Sequence, residues 1–125
     1  MKYIFLILFF ISFLPNLLGQ DKIYDVVDKQ PEFKGGTGAL MAFIGKTFKY
    51  PDSLARTNAT YGAIYLKLII EKDGTVSCES CKSGSNSICT EARKMIEKMP
   101  KWKPAEYKGS KVRCRYSLPI HIDLE

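Results

Sequence analysis

From Val112 to the end of the chain almost every second residue is apolar: Val112, Cys114, Tyr116, Leu118, Ile120, Ile122 and Leu124. Lys111, Arg113, Arg115, Ser117, His121 and Asp123 fill the alternate places, and only Pro119 interrupts them. A period of two over this length describes an antiparallel strand with one buried and one wet face. Such a strand needs neighbours to pair with and a layer to cover its apolar side. A second run supplies the first neighbour: Ile64, Leu66, Leu68 and Ile70 alternate with Tyr65, Lys67 and Ile69. Lys72-Asp73-Gly74 follows, and Asp-Gly provides the positive φ angles of a hairpin turn. A third strand is expected over 75–81, with Val76 and Cys78 on one face.

The covering layer is read from helical spacing. Leu40, Phe43, Ile44 and Phe48 recur at that spacing and predict a helix over 38–46, with Thr37 accepting from its first turn. Gly35 and Gly36 then form a tight entry turn. A phosphate cradle would need a preceding strand and a following Lys-Ser or Lys-Thr, which the context does not supply together. Tyr50-Pro51 ends this segment, because a residue before proline avoids helical angles. Pro51 opens a short helix over 51–57, with Asn58 as a left-handed stop. After a Gly/Ser/Asn loop, Ile88, Ala92, Met95, Ile96 and Met99 form the stripe of a helix over 88–99, stopped by Pro100. The class is therefore α+β. The hairpin makes strands one and two antiparallel, and one helix returns the chain to strand three. One-face alternation in all three strands places strand three beside strand one. The expected sheet is three-stranded and antiparallel, in the order two-one-three, with helices on one face and strand three as an open edge. Pro119 suits an edge, since it has no ladder donor.

The N-terminus reads differently. Lys2 precedes an apolar run over 4–14, broken by Pro15 and Asn16, with the small Gly19 before Gln20. This is the anatomy of a secretory signal peptide, too short for a spanning helix of about 20 apolar residues. The expected division is a signal peptide over 1–19, a lead-in over 20–34 and one domain over 35–125. The localisation is the periplasm after cleavage, with an uncleaved inner-membrane anchor facing the periplasm as the alternative. The chain of 125 residues carries a net charge of +6. Its lysines are spread along the sequence, a solubility pattern that gives no reason to expect nucleic acid.

Export bears on the 4 cysteines, because an oxidising compartment allows disulfides. Cys81 and Cys89 flank the loop into the second long helix, and a disulfide is expected between them. Cys78 and Cys114 are expected to be separated by strand one, two intervals of about 4.8 Å, and to stay buried thiols. Catalytic and metal chemistry are not expected. His121 is the only histidine and lies on the wet face of strand three. Cys78-Glu79-Ser80-Cys81 has redox spacing but ends a strand, whereas redox pairs open helices. Cys89 and Cys114 are too far apart in sequence to complete a zinc ribbon. Trp102 reads as core packing after the helix. Arg113 and Arg115 read either as a solvated face or as the rim for an acidic peptide. No nucleophile–base pair or carboxylate dyad is present, so no enzyme and no cofactor is expected.

Several short motifs now fall into one order: Pro31-Glu32-Phe33 with Gly35-Gly36, Tyr50-Pro51, Gly62 before an alternating strand, and Lys72-Asp73-Gly74. Met99-Pro100-Lys101-Trp102-Lys103-Pro104 and Tyr116-Ser117-Leu118-Pro119-Ile120 complete the series. In this order and spacing, over about 31–124, the chain resembles the TonB C-terminal domain family, in the form common in Bacteroidetes-like proteins. The resemblance implies a non-catalytic periplasmic module linked to TonB-dependent transport. It would bind the TonB box, an extended peptide of an outer-membrane transporter, by strand addition. The implied edge is strand three: Val112, Arg113, Cys114, Arg115, Tyr116, Ser117, Leu118, Ile120 and Ile122, with Tyr50 and Pro51 as a rim. Two features depart from the family's pattern. The ten or so residues between Gly19 and Pro31 reach only about 35–40 Å fully extended, and Thr47-Phe48-Lys49 stands where the family is often glutamine-rich. The alternative is a stand-alone periplasmic adaptor for another protein or a cell-wall component, without energy transduction. A third reading is a homodimer paired through its strand-three edges.

Overall fold

The two alternating runs form the centre of the sheet. The structure, a computed structural model, describes residues 22–51 and 62–121. In chain order its elements are β1 (Ile23–Tyr24), α1 (Gly36–Thr47), β2 (Ala63–Ile70), β3 (Val76–Lys82), α2 (Asn86–Glu97), β4 (Ala105–Tyr107) and β5 (Ser110–His121). β2 pairs antiparallel with β3 on one side and with β5 on the other, from Ala63↔His121 to Ile70↔Cys114. The apolar residues of β2 do what their period dictates: Ile64, Leu66, Leu68 and Ile70 are all buried. Ile88, Ala92, Met95 and Ile96 of α2, Leu40 and Ile44 of α1, and Leu118 and Ile120 of β5 complete this core. Trp102 joins it, edge-on to Phe33 at 5.5 Å and to Tyr116 at 5.1 Å between ring centroids.

Three expectations are corrected. The sheet is mixed and five-stranded rather than three-stranded and antiparallel, because β1 adds a parallel pair and β4 an extra hairpin on β5. β5 is therefore not a wholly open edge. The helix α1 is not capped by Thr37. Gly35 (φ 92°) and Gly36 (φ 86°) turn the chain, Gly36 donates its N–H to the Phe33 carbonyl, and the helix starts at Gly36. Its capping position is Gly35, which has no side chain to offer. The second helix ends at Glu97, two residues before Met99, and starts at Asn86 behind Ser85, whose side chain accepts from the Ser87 N–H.

The lead-in is part of the fold. Lys29 bridges to Glu106 and Glu32 to Lys103, both antiparallel, while Pro31 and Phe33 are buried. A second, smaller core lies under this region, where Ala105, Val112 and Cys114 meet Tyr24, Val27 and Tyr107. Cys81 and Cys89 are joined by a disulfide with Cα atoms 5.8 Å apart. Cys78 and Cys114 are free thiols, paired to β2 from opposite sides at Leu68 and Ile70. Burial raises the Cys114 pKa, which keeps it a neutral hydrophobe. The signal peptide over 1–19, the short helix over 51–57 with its stop at Asn58, and Ile122, Asp123 and Leu124 lie outside the described residues. No described helix is long and apolar enough to cross a membrane.

Candidate functional site

β5 offers an edge, and its two sides can be told apart from the backbone. Lys108 (φ 50°) and Gly109 (φ 79°) form a two-residue turn that closes β4 on β5 at Tyr107↔Ser110. The closing pair of such a hairpin exchanges both hydrogen bonds, so Ser110, and by alternation Val112, address β4. Trp102 donates its backbone N–H to the Gly74 carbonyl at 2.8 Å, which brings the entry to β4 beside the β2–β3 turn. β4 and β2 therefore share one side of β5. The even-numbered residues of β5 address that side with their N–H and C=O groups. Arg113, Arg115, Ser117, Pro119 and His121 address the other. Pro119, opposite Tyr65, has no N–H and sits where β2 does not ask for one.

The outer side is occupied only at its start. Ile23 pairs with Arg113 and Tyr24 with Cys114, in parallel. From residue 116 to 121 no strand lies on it among the described residues. Of the inward side chains, Val112, Cys114, Leu118 and Ile120 are buried, and Tyr116 is half-buried against Trp102. Ser117, Pro119 and His121 are exposed.

Charge gathers at the junction between the covered and uncovered parts of the edge. Arg115 makes a bidentate pair with Glu79, Nε to Oε1 at 2.8 Å and a second guanidinium nitrogen to Oε2 at 2.9 Å. Its remaining nitrogen holds Asp25, just past β1, at 2.6 Å. Glu79 reaches across β2 from a bulge. Lys67 pairs with Ser80 and Leu68 with Cys78, leaving Glu79 out of the ladder with its side chain turned towards β5. The hydrogen bonds from Arg115 pull the Glu79 carboxyl below its ordinary value, and those to Glu79 and then Asp25 hold the guanidinium more firmly protonated. Arg113 is paired with Glu71 at 2.7 Å. Both arginines are therefore engaged within the chain, and Arg115 also stands beside the open edge.

The other expected residues are placed as follows. Tyr50 is half-buried against the main core, and Pro51, also half-buried, is the last residue described before 62. Ile122 lies outside the described residues. Asp25, Glu79 and the pair Ile23–Tyr24 were not legible in the sequence: a bulge is a property of register, and two residues carry no period. Among the described residues no group of histidine, cysteine or carboxylate side chains could hold a metal ion.

The Glu79–Arg115 pair has a consequence for acid stability. A depressed carboxyl stabilises the fold above its unfolded pKa, near 4.5, and loses that contribution as pH falls through the folded value. Thermal melts from about pH 7 down to about pH 2 are expected to show Glu79→Gln melting below the wild type at neutral pH and converging with it in acid. A gap of constant size across the series would contradict the pairing.

A family model described as Gram-negative bacterial TonB protein C-terminal matches residues 46–124, more than half of the chain. No curated protein and no solved structure matches it.

Proposed function

The chain belongs to the family of Gram-negative bacterial TonB protein C-terminal domains, and from that premise we propose that it is a periplasm-facing, non-catalytic module that binds an extended peptide along the outer side of β5. The peptide in this reading is the TonB box of an outer-membrane transporter, and the process it serves is TonB-dependent transport. One observation carries the reading: the outer side of β5 from 116 to 121 has no strand on it among the described residues. An uncovered strand edge invites pairing with another chain, so a protein either guards it or uses it. Here Pro119 and the charged junction at Arg115 guard parts of it, and outward N–H groups remain at Ser117 and His121 past the end of β1. Strand addition draws its affinity from those main-chain groups, with side chains adding selectivity.

The test is titration of isotope-labelled protein with TonB-box peptides from transporters of the same cell. Amide shifts concentrated on 115–121 are expected. Shifts confined to 31–48, or none at saturating peptide, would contradict the reading.

One observation favours a second reading, the stand-alone adaptor. The lead-in that would act as a spacer is bonded into the fold, with Asp28 and Lys29 donating to the Glu106 carbonyl and Glu32 to that of Lys103, each at 3.0 Å. A pull-down from envelope extract that returns cell-wall fragments or another envelope protein, and no transporter, would select it.

A further inference from the structure

The short strand β1 sits on the same side of β5 that the proposed peptide would use, and it is lightly held. It spans two residues, both half-buried, and Val26 just beyond it is 79% exposed. Its side-chain ties are the Asp25–Arg115 ion pair, in which Asp25 is 67% exposed, the tilted contact of Tyr24 with Tyr107 at 5.1 Å, and the packing of the half-buried Tyr24 and Val27 on the small core of Ala105, Val112 and Cys114. Past it the chain is fastened more firmly: Asp28 and Lys29 donate to Glu106, Glu106 donates back to Lys29, and Lys108 donates its N–H to the Asp28 carboxylate at 2.7 Å. Residues 22–27 can thus leave β5 while 28–32 stay in place.

We infer that β1 is a resident strand that plugs the start of the β5 edge and is displaced by the incoming peptide, and that an acidic residue in the peptide strengthens its binding by taking over the place of Asp25 on Arg115. The inference rests on the proposed use of the β5 edge. A peptide that paired with all of 113–121 would collide with Ile23 and Tyr24, whose Cα partners are Arg113 and Cys114. Eviction breaks the Asp25–Arg115 contact, and the guanidinium, still tied to Glu79, is left with one nitrogen directed at the vacated position. A neutral residue in the newcomer would leave that donor without its carboxylate, and an acidic one restores it.

The register supplies its own lock. Tyr24 faces the native thiol of Cys114 across a parallel pair, and neighbouring strands lie about 4.8 Å apart, within the roughly 4.4–6.8 Å that a disulfide accepts between Cα atoms. A Tyr24→Cys variant, oxidised, fastens β1 to β5. Reduced, it lacks the Tyr24–Tyr107 contact and holds β1 less well than the wild type. The probe is a fluorescent peptide copying residues 22–27, Lys-Ile-Tyr-Asp-Val-Val, with a second version carrying Asn for the aspartate. Binding is expected to the reduced variant and to Asp25→Asn, to be weaker to the wild type, and to be lost on the oxidised variant. Wild type with and without reductant controls for Cys81–Cys89. The Asn peptide should bind Asp25→Asn about two- to five-fold more weakly than the Asp peptide, the range of an exposed ion pair. Equal binding to the oxidised and reduced variants, or equal affinity of the two peptides, overturns the inference. TonB-box peptides are run against the same proteins. If they bind the oxidised variant as well as the reduced one, the plug is wrong and the proposed function stands. If they bind neither while the copied peptide does, the function is wrong and the plug stands.

Discussion

Replacing Gly74 by alanine is expected to cost about 2–6 kcal/mol of stability, a large share of the roughly 5–15 kcal/mol that holds an ordinary domain together. Two penalties coincide at this position. Its φ is +89°, a left-handed conformation that a residue with a Cβ adopts only under strain, at about 1–3 kcal/mol. A Cβ would also fall on the Trp102 carbonyl oxygen, with the Trp102 carbonyl carbon and nitrogen each 3.2 Å away, and relieving such overpacking costs a further 1–3 kcal/mol or so. These are backbone atoms, which cannot swing aside as a side chain would. The turn also receives the Trp102 N–H on the Gly74 carbonyl. Pushing the two segments apart therefore undocks the indole that joins Phe33 to Tyr116 and disturbs the entry to β4. Urea unfolding should show a midpoint shift of that size with an unchanged slope. A loss below about 0.5 kcal/mol, the level of an ordinary surface substitution, would show that the turn is not docked as described.

Ser117→Pro is expected to weaken binding of a TonB-box peptide at least about tenfold, or about 1.4 kcal/mol, while leaving the fold nearly as stable as before. Ser117 is exposed and pairs with Lys67 across β2. By the alternation that places Pro119 without loss, its N–H faces away from β2. A proline there removes an outward donor and puts a ring in the path of an added strand, and β2 loses no hydrogen bond. Ser117→Ala, which keeps the donor, should bind almost as the wild type does. If Ser117→Pro instead unfolds the protein, the N–H belonged to β2 and the two sides of β5 are reversed. If it folds and binds normally, the peptide does not use this edge.

The long alternating runs were legible because one-sided burial leaves a period of two in the side chains, and β2 and the inward side of β5 show it almost without exception. The Asp-Gly turn was legible for a local reason: Gly74 has the positive φ that turn chemistry requires, and Asp73 accepts from the Thr75 N–H at 3.0 Å and hydroxyl at 2.7 Å. The loop disulfide followed from placing Cys81 at a strand end and Cys89 in the first turn of the next helix. What escaped was too short or too relational. β1 has two residues and β4 three, and neither length can display a period. Gly109 was the one local hint of the β4–β5 turn. The bulge that frees Glu79 exists only once β3 is laid against β2. The start of α1 was misplaced because the polar side chain of Thr37 suits a cap, whereas the two glycines before it settle where the chain turns. At the edge itself, the choice of β5 came from the sequence, and its partial occupation by β1 with the Asp25–Arg115–Glu79 cluster came from the structure.

The central claim is that a peptide pairs with the outer side of β5, and residue-resolved amide hydrogen exchange tests it most directly. Tyr116, Leu118 and Ile120 direct their N–H groups to β2 and should be protected with or without peptide. Ser117 and His121 direct theirs outward past the end of β1 and should exchange quickly in the free protein, then slow on addition of a TonB-box peptide. The account predicts this alternation, with new protection on the odd-numbered residues alone. Protection that appears instead over 31–48, or leaves Ser117 and His121 unchanged at saturating peptide, would contradict it.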